Sequence, residues 1–167
     1  MASFTLPNTE VCEGDSIIIL NTSTDADAFK WRLNGVPLTD FPLVIAARGT
    51  YELSLIANFA SICFDTLEDA GRFFVYDAPK ANFAAIVDED PNIIGDVRFL
   101  NTSEDADGYF WEFGDGNTSE QENPTHEFNR SGPLTTTLFA YNYNSGLFTC
   151  ESRVAQLINF ERINTFF

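Results

Sequence analysis

An internal repeat at an offset of 80 residues limits the fold of this chain more than any other feature of its sequence. Residues 20–31 read L-N-T-S-T-D-A-D-A-F-K-W, and residues 100–111 read L-N-T-S-E-D-A-D-G-Y-F-W. Eight of these twelve positions are identical, and Phe29 is matched by another aromatic residue, Tyr109. A fixed period indicates tandem copies of one folding unit, and about 80 residues suits a small β-sandwich. The 167-residue chain is therefore predicted to contain two such units.

The second copy contains a long aromatic strand. Tyr109, Trp111 and Phe113 alternate with Phe110 and Glu112, which is the period of a strand with one buried face. We expect Trp111 in the core rather than stacked on a sugar. Phe110 is expected on the outer face, where it is a candidate contact residue.

A tight turn follows this strand. Gly114 and Gly116 tolerate positive φ, and Asp115 can accept hydrogen bonds from the backbone amides of its own turn. The strand and the turn together predict a hairpin.

The first copy predicts a similar hairpin. Phe29 and Trp31 are expected to face inward, and Asn34 and Gly35 form a two-residue turn because both tolerate positive φ. Residues 16–20 are predicted to form one continuous strand before this hairpin.

The composition favours an all-β chain. Thr, Ile, Val, Phe and Tyr are spread along it, while strong helix formers are sparse. With 44% hydrophobic residues and 17 phenylalanines, the chain has enough apolar surface for packed cores, which argues against disorder. The predicted fold class is all-β, with two tandem β-sandwich domains.

Two motifs in the second copy resemble those of a known family. Residues 111–116, W-E-F-G-D-G, and residues 123–128, N-P-T-H-E-F, are similar to the W-D-F-G-D-G and N-P-x-H-x-Y signatures of the polycystic-kidney-disease (PKD) domain, an immunoglobulin-like β-sandwich. The resemblance implies PKD-like domains over residues 1–79 and 80–160, with 161–167 as a tail or the start of another repeat. It is looser in the first copy, where R-L-N-G replaces the F-G-D-G turn.

The net charge of −16 is shared by both copies. Residues 1–80 carry 5 basic and 11 acidic residues, net −6, and residues 81–167 carry 4 and 14, net −10. Such a surface repels nucleic acid and anionic membranes, so neither is an expected partner. No apolar run approaches the roughly 18 residues that span a bilayer, and residues 1–6 lack the features of a signal peptide.

Three cysteines occur, at positions too widely spaced for a zinc site. Similar surface modules carry a C-x-G-D near the start and a cysteine in the last hairpin, so the resemblance implies a Cys12–Cys63 disulfide and an oxidising compartment. Cys150 is then expected to be buried or paired with another chain. The alternative is that all three cysteines are reduced and buried.

His126 is the one histidine in the sequence, so a Ser-His-Asp or Cys-His site would have to use it. The resemblance implies that this residue is structural and lies near the tryptophan strand. Neither a glycine-rich phosphate loop nor an H-E-x-x-H motif occurs. We therefore predict no catalytic residue and assign core or turn roles to Trp31, Trp111, Gly114, Asp115, Gly116 and His126.

Aspartates recur in one loop of each copy, as D-A-D at residues 25–27 and 105–107, and D-E-D at 88–90 adds a further group. Calcium prefers the carboxylate and backbone carbonyl oxygens of loops. Some PKD domains of secreted hydrolases bind calcium, and the resemblance to that family implies the same possibility here. The candidate calcium ligands are Asp88, Asp90, Asp105 and Asp107. Solvated loop charge is the alternative, and no other cofactor is expected.

Three N-x-[ST] sequences occur, at residues 21–23, 101–103 and 117–119. The first two end a strand at the same place in each copy, where Asn and Ser commonly close turns. A structural role explains them, and glycosylation would need a suitable secretory route.

The functional expectation is a non-catalytic module, because no reactive group assembles. Modules that the chain resembles act as spacers, stalks or binding surfaces in bacterial surface adhesins, gliding-type filaments and secreted hydrolases. We predict a structural or adhesive repeat of a long extracellular bacterial surface protein, contacting neighbouring repeats or subunits of one assembly. The alternative is an accessory module of a secreted hydrolase that binds a surface glycan or protein. That alternative requires a row of exposed aromatics, for which the sequence offers Phe110.

Overall fold

The predicted all-β class is confirmed by the structure, a computed structural model that describes residues 1–59, 63–87, 96–129, 132–144 and 148–160. For residues 59, 63, 64, 66–70 and 160 the structure describes the backbone alone. The described residues contain strands and turns but no helix. The chain divides into two compact units, Met1–Asp77 and Ala78–Phe167, close to the predicted boundary at residue 79.

Short strands and one long hairpin build the first unit. Its described strands are β1 (Phe4–Thr5), β2 (Glu10–Cys12), β3 (Ser16–Ile17), β4 (Leu20–Asn21), β5 (Ala28–Leu33), β6 (Val36–Leu38), β7 (Leu43–Val44), β8 (Gly49–Phe59) and β9 (Cys63–Tyr76). Five of them form a sheet in the order β2-β9-β8-β5-β6, in which β2 runs parallel to β9. The pairs β1–β4 and β3–β7 are antiparallel.

The hairpin predicted in the first copy is confirmed. Asn34 and Gly35 join β5 to β6 with φ values of 50° and 78°. One expectation is wrong, because residues 16–20 form two separate strands. Phe29 lies on the same face of β5 as Trp31, opposite the fully buried Ala57, but it is 41% exposed.

Alternating side chains of β8 form the centre of the first core. Leu53, Leu55 and Ala57 are fully buried, as the period-2 pattern predicts. One cluster joins these residues to Ala2 and Phe4, and a second cluster contains Val11, Ile17, Leu43, Phe73 and Val75.

Two facing sheets build the second unit. Its described strands are β10 (Phe83–Val87), β11 (Asp96–Asn101), β12 (Gly108–Glu112), β13 (Thr118–Ser119), β14 (Thr125–Glu127), β15 (Gly132–Asn144) and β16 (Phe148–Phe160). The sheets have the orders β10-β11-β14 and β13-β12-β15-β16. The aromatic strand and its turn form the predicted hairpin, β12–β13, whereas β14 was not predicted.

Both sheets contribute to the core of the second unit. Trp111 of β12 is fully buried, and its ring lies 5.1 Å from that of Phe83 on β10 and 5.4 Å from that of Phe99 on β11. The cluster also contains Val97, Phe113, Phe128, Leu134, Leu138 and Ile158. An interior lined from both sheets defines a β-sandwich.

Candidate functional site

The N-T-S segments tie a strand end to the start of each unit. In the first unit, Asn21 Oδ1 accepts a hydrogen bond from Ser23 N at 3.0 Å. Ser23 Oγ accepts from Ser3 N at 2.9 Å and donates to Ser3 O at 3.1 Å. The second unit repeats all three bonds with Asn101, Ser103 and Asn82. We call this arrangement the N-T-S clasp; it supports the structural explanation of the first two N-x-[ST] sequences.

The two D-A-D loops also share a backbone shape. Asp25 and Asp105 have φ values of 59° and 55°, a region that Asp tolerates better than most residues. The Asp107 carboxylate accepts a hydrogen bond from Tyr143 N at 3.0 Å. This carboxylate therefore already binds the backbone near the end of β15.

The candidate calcium ligands do not all fall within the described residues. Asp88 and Asp90 lie outside them, and the described part of the chain contains no group of three or more His, Cys, Asp or Glu residues suited to a metal. Calcium binding therefore stays a prediction.

Asp115 and His126 form a partly buried pair between the two sheets of the second unit. Asp115 lies in the β12–β13 turn and His126 on β14, and His126 Nε2 is 2.8 Å from Asp115 Oδ2. Their side chains are 12% and 14% exposed. Asp115 Oδ1 also accepts from Asn117 N at 3.0 Å, the turn bond that the sequence predicts.

Aromatic rings cover the His126 imidazole. Phe113 stacks on it at 4.1 Å with an interplanar angle of 7°, and Phe128 meets it edge-on at 4.6 Å. An imidazole held by two rings and a carboxylate orients the surrounding turn. The sequence reasoning did not connect His126 with Asp115.

Acid is expected to weaken the second unit through Asp115. Burial acts to raise the pKa of Asp115, but hydrogen bonds from His126 and Asn117 outweigh it and lower that pKa below 3.8. A lowered folded-state pKa gives stability that is present above the unfolded-state pKa and is lost as the pH falls through the folded-state pKa. The free energy of unfolding of wild type, minus that of Asp115→Asn, should stay constant above about pH 5 and shrink below about pH 4.

Urea unfolding at a series of pH values between 5 and 2 measures this difference. Asp40→Asn, at an exposed position, is the control variant. A wild-type advantage over Asp115→Asn that grows on acidification would contradict the assignment.

The two tryptophans differ in burial although they are repeat equivalents. Trp111 is fully buried, and its Nε1 donates to Gln121 O at 2.8 Å. Trp31 is half-buried at the margin of its core, with the rings of Phe4 and Phe41 at 5.1 and 6.4 Å. Both therefore contact core residues.

Both cysteines whose side chains the structure describes are oxidised. Cys12 and Cys150 are each disulfide-bonded, and Cys150 is fully buried. The alternative in which all three are reduced is therefore wrong, and an oxidising, non-cytoplasmic compartment is indicated. The Cys63 side chain lies outside the described residues, so the Cys12–Cys63 pairing stays a prediction. The bonded state of Cys150 weighs against it, because that pairing would leave Cys150 to bond with another chain.

Peptide mapping of the non-reduced protein tests the pairing. Trypsin places Cys12, Cys63 and Cys150 in three peptides, residues 1–30, 49–72 and 131–153. The Cys12–Cys63 prediction expects a linked pair 1–30 and 49–72, with 131–153 linked only in a covalent dimer. A link between 1–30 and 131–153 would exclude it.

A row of aromatic side chains lies on the outer face of β12 and β15. Phe110 is joined there by Phe139, Tyr141 and Tyr143 at alternate positions of β15, and Ala140 between the first two is buried. The sequence reasoning missed the three rings of β15, although the alternation in residues 134–143 could have revealed them.

Comparison with known proteins identifies the family of the second unit. Residues 76–156 match the family model of the PKD domain. This stretch is a PKD domain. No curated protein matches the sequence.

Several solved structures are similar to parts of the chain. The PKD1 domain of the Vibrio cholerae metalloprotease PrtV is 28% identical, covering 48% of this chain and 94% of that one, with a TM-score of 0.40. The PKD1 domain of Vibrio anguillarum Epp is 26% identical over 50% of this chain and 96% of that one, with a TM-score of 0.39. The fibronectin(III)-like modules of Clostridium thermocellum CbhA are 13% identical over 95% and 94%, also with 0.39.

The two signature motifs of the PKD domain meet in space. W-E-F-G-D-G supplies Trp111, Phe113 and Asp115, and N-P-T-H-E-F supplies His126 and Phe128. Their contacts fix a core and a turn, which agrees with the structural and accessory roles typical of such domains. No helix in the described residues is long and apolar enough to cross a membrane.

Proposed function

We propose that the chain is a non-catalytic structural and adhesive repeat of a long extracellular protein on a bacterial surface. Its partners in this proposal are neighbouring repeats, subunits of the same assembly, or a ligand on another surface. The disulfide-bonded state of Cys12 and Cys150 supports the extracellular placement.

The observation that carries the proposal is the structural use of the residues that the two units share. The N-T-S clasp occurs in both units with the same bonds, and Asp25 and Asp105 have the same backbone shape. In the second unit, His126 and Asp115 bond to one another within the fold. The duplicated sequence thus maintains a scaffold, as a repeating stalk requires.

Labelling of intact cells of the source organism tests this proposal. An antibody raised against the full chain should stain intact cells, and external protease should remove the signal. On a denaturing gel the antibody should detect a band far larger than a 167-residue chain. Staining that appears only after lysis would contradict the surface location, and a chain-sized band would contradict a long parent protein.

A second candidate is a binding accessory module of a secreted hydrolase. The aromatic row on β12 and β15 favours it, because three half-buried rings and the exposed ring of Tyr143 lie on one sheet face. A catalytic domain in the parent protein would select this candidate, and many similar repeats would select the stalk.

Calcium binding by Asp88, Asp90, Asp105 and Asp107 is a separate proposal, with a thermal test. When the free calcium concentration is 100 times the dissociation constant of the site, binding adds about 2.7 kcal/mol to the free energy of unfolding. The melting temperature should then rise in millimolar CaCl2 relative to EDTA and respond less to MgCl2. An identical melting temperature in all three conditions would reject the site.

A further inference from the structure

The aromatic row forms a continuous surface across two strands of the PKD domain. The ring centroids of Phe110 and Phe139 lie 6.1 Å apart, and those of Tyr141 and Tyr143 lie 6.3 Å apart with nearly parallel planes. Tyr143 is 55% exposed. Four rings on one face present more apolar and π surface than the single candidate residue found in the sequence.

A cleft opens at one end of this row. Its volume is about 400 Å³, and its lining includes Tyr109, Phe110, Tyr141 and Tyr143 together with the acidic residues Asp107 and Glu120. Gly108 forms part of the same lining. A Cβ at Gly108 would collide with the hydroxyl of Tyr143 and lie 2.9 Å from its ring carbons Cε2 and Cζ, so the ring can lie over this position only because the residue is glycine.

Carboxylates surround the rings. Glu151 pairs with Tyr141 across the ladder, and Glu112 lies on the same face of β12. Burial raises the pKa of Tyr141, and the negative charge of Glu151, the neighbouring Tyr143 and Glu112 add to this rise. Among the described residues beside the row, Arg153, opposite Phe139, is the basic side chain that partly offsets them. The cleft therefore combines π faces with a local excess of negative charge.

The fold does not require this surface, because the first unit builds the same strand pair without it. At the offset of 80, Ala28 stands where Gly108 does and Lys30 where Phe110 does. On β8, Asn58 and Ile56 pair with these two residues, where the second unit has Tyr141 and Phe139. The rings are thus specific to the PKD domain rather than part of the shared scaffold.

We propose that this cleft binds the cationic side chain of a lysine or arginine on a basic segment of a partner protein. Cations are attracted to the faces of aromatic rings within about 6 Å, and the flanking carboxylates supply the complementary charge. The acidic net charge of the chain steers such a segment toward it. This inference rests on the proposed adhesive function and assigns that function a contact surface and a partner chemistry.

An NMR titration of the full, oxidised, isotope-labelled chain tests the inference. The probe is an amidated hexalysine peptide, with the same peptide acetylated on every lysine as the uncharged control. Amide shifts should move along β12 and β15 near residues 107–110 and 141–143, and the acetylated peptide should cause none of these shifts. Loss of the positive charge abolishes the attraction to both rings and carboxylates.

Variants then separate the ring contribution from general electrostatic attraction. Tyr143→Ala should weaken hexalysine binding about 3- to 10-fold, whereas Tyr143→Phe should stay within about 2-fold of wild type. Gly108→Ala should weaken binding similarly by displacing the Tyr143 ring. Leu157→Ala removes another exposed apolar side chain, 68% exposed on the same sheet, and should have no effect. Unchanged melting temperatures establish that each variant is folded.

Three results would overturn the inference. The first is no binding of hexalysine, and the second is equal binding by wild type and Tyr143→Ala, which would indicate unspecific charge attraction. The third is binding of cellohexaose at the same residues in place of the peptide, which would select a glycan ligand. None of these three results changes the expected outcome of the cell-surface labelling. Failure of the cation site can therefore be distinguished from failure of the proposed function.

Discussion

Replacing Trp111 with alanine is expected to destabilise the second unit by about 3–5 kcal/mol. The side chain is fully buried, contacts the rings of Phe83 and Phe99, and donates from Nε1 to Gln121 O. Its removal leaves a large cavity and an unpaired backbone carbonyl, and the opposite sheet cannot move in to fill the space completely. For a domain of this size, the melting temperature should fall by about 15 °C or more.

Calorimetry of the full chain measures this loss, together with amide exchange to show which unit opens. Trp31→Ala is the matched control, because Trp31 is the repeat equivalent but only half-buried at the margin of its core. It should cost about 1–2 kcal/mol, and the loss should be in the first unit. Equal losses for the two variants would mean that Trp111 does not anchor its core.

Replacing Gly114 with alanine is expected to cost at least about 3 kcal/mol. Gly114 has a φ of 83°, where a side chain alone costs about 1–2 kcal/mol. The added Cβ would also collide with the carbonyl oxygen of Thr135 and approach its backbone nitrogen to 3.3 Å. Backbone cannot rotate away as a side chain can, so the turn must shift, and the hydrogen bond between Asp115 and His126 should be lost with it.

Gly116→Ala provides a close control for this variant. Gly116 lies in the same turn at a φ of 96°, but a Cβ there would meet no atom within 4 Å. Gly116→Ala should lower the free energy of unfolding by about 1–2 kcal/mol, which is the cost of the positive φ without a collision. Urea unfolding measures both variants, and a Gly114→Ala loss no larger than that of Gly116→Ala would exclude the close approach to Thr135.

The hairpins and the buried tryptophan strand were predictable because their signals are local. Alternation in residues 109–113 sets which side chains are buried, and Asn34 with Gly35 specifies a turn. The same local rules do not set how far Phe29 is covered, since burial there depends on what other strands cover. They failed at residues 16–20, where an apolar run is divided between two different partner strands.

The contacts of the candidate site were less predictable because they join distant segments. His126 meets Asp115 only because β14 pairs with β11 in the opposite sheet, and nothing near His126 in the sequence specifies that pairing. The cleft depends on Gly108 leaving space beneath Tyr143, a contact across 35 positions. Cysteine pairing is likewise not set by spacing alone.

The bonds at the start of the second unit have a mechanical consequence. Lys80 and Glu104 exchange two backbone hydrogen bonds of 2.9 and 3.0 Å, and Asn82 is held by Ser103 just beyond them. A pulling force applied to the chain ahead of Lys80 would load these few bonds before it reaches the β10–β11 ladder. They would rupture and re-form while the interior of the PKD domain stayed closed, so a stretched chain would lengthen reversibly at Lys80 before the sandwich unfolded.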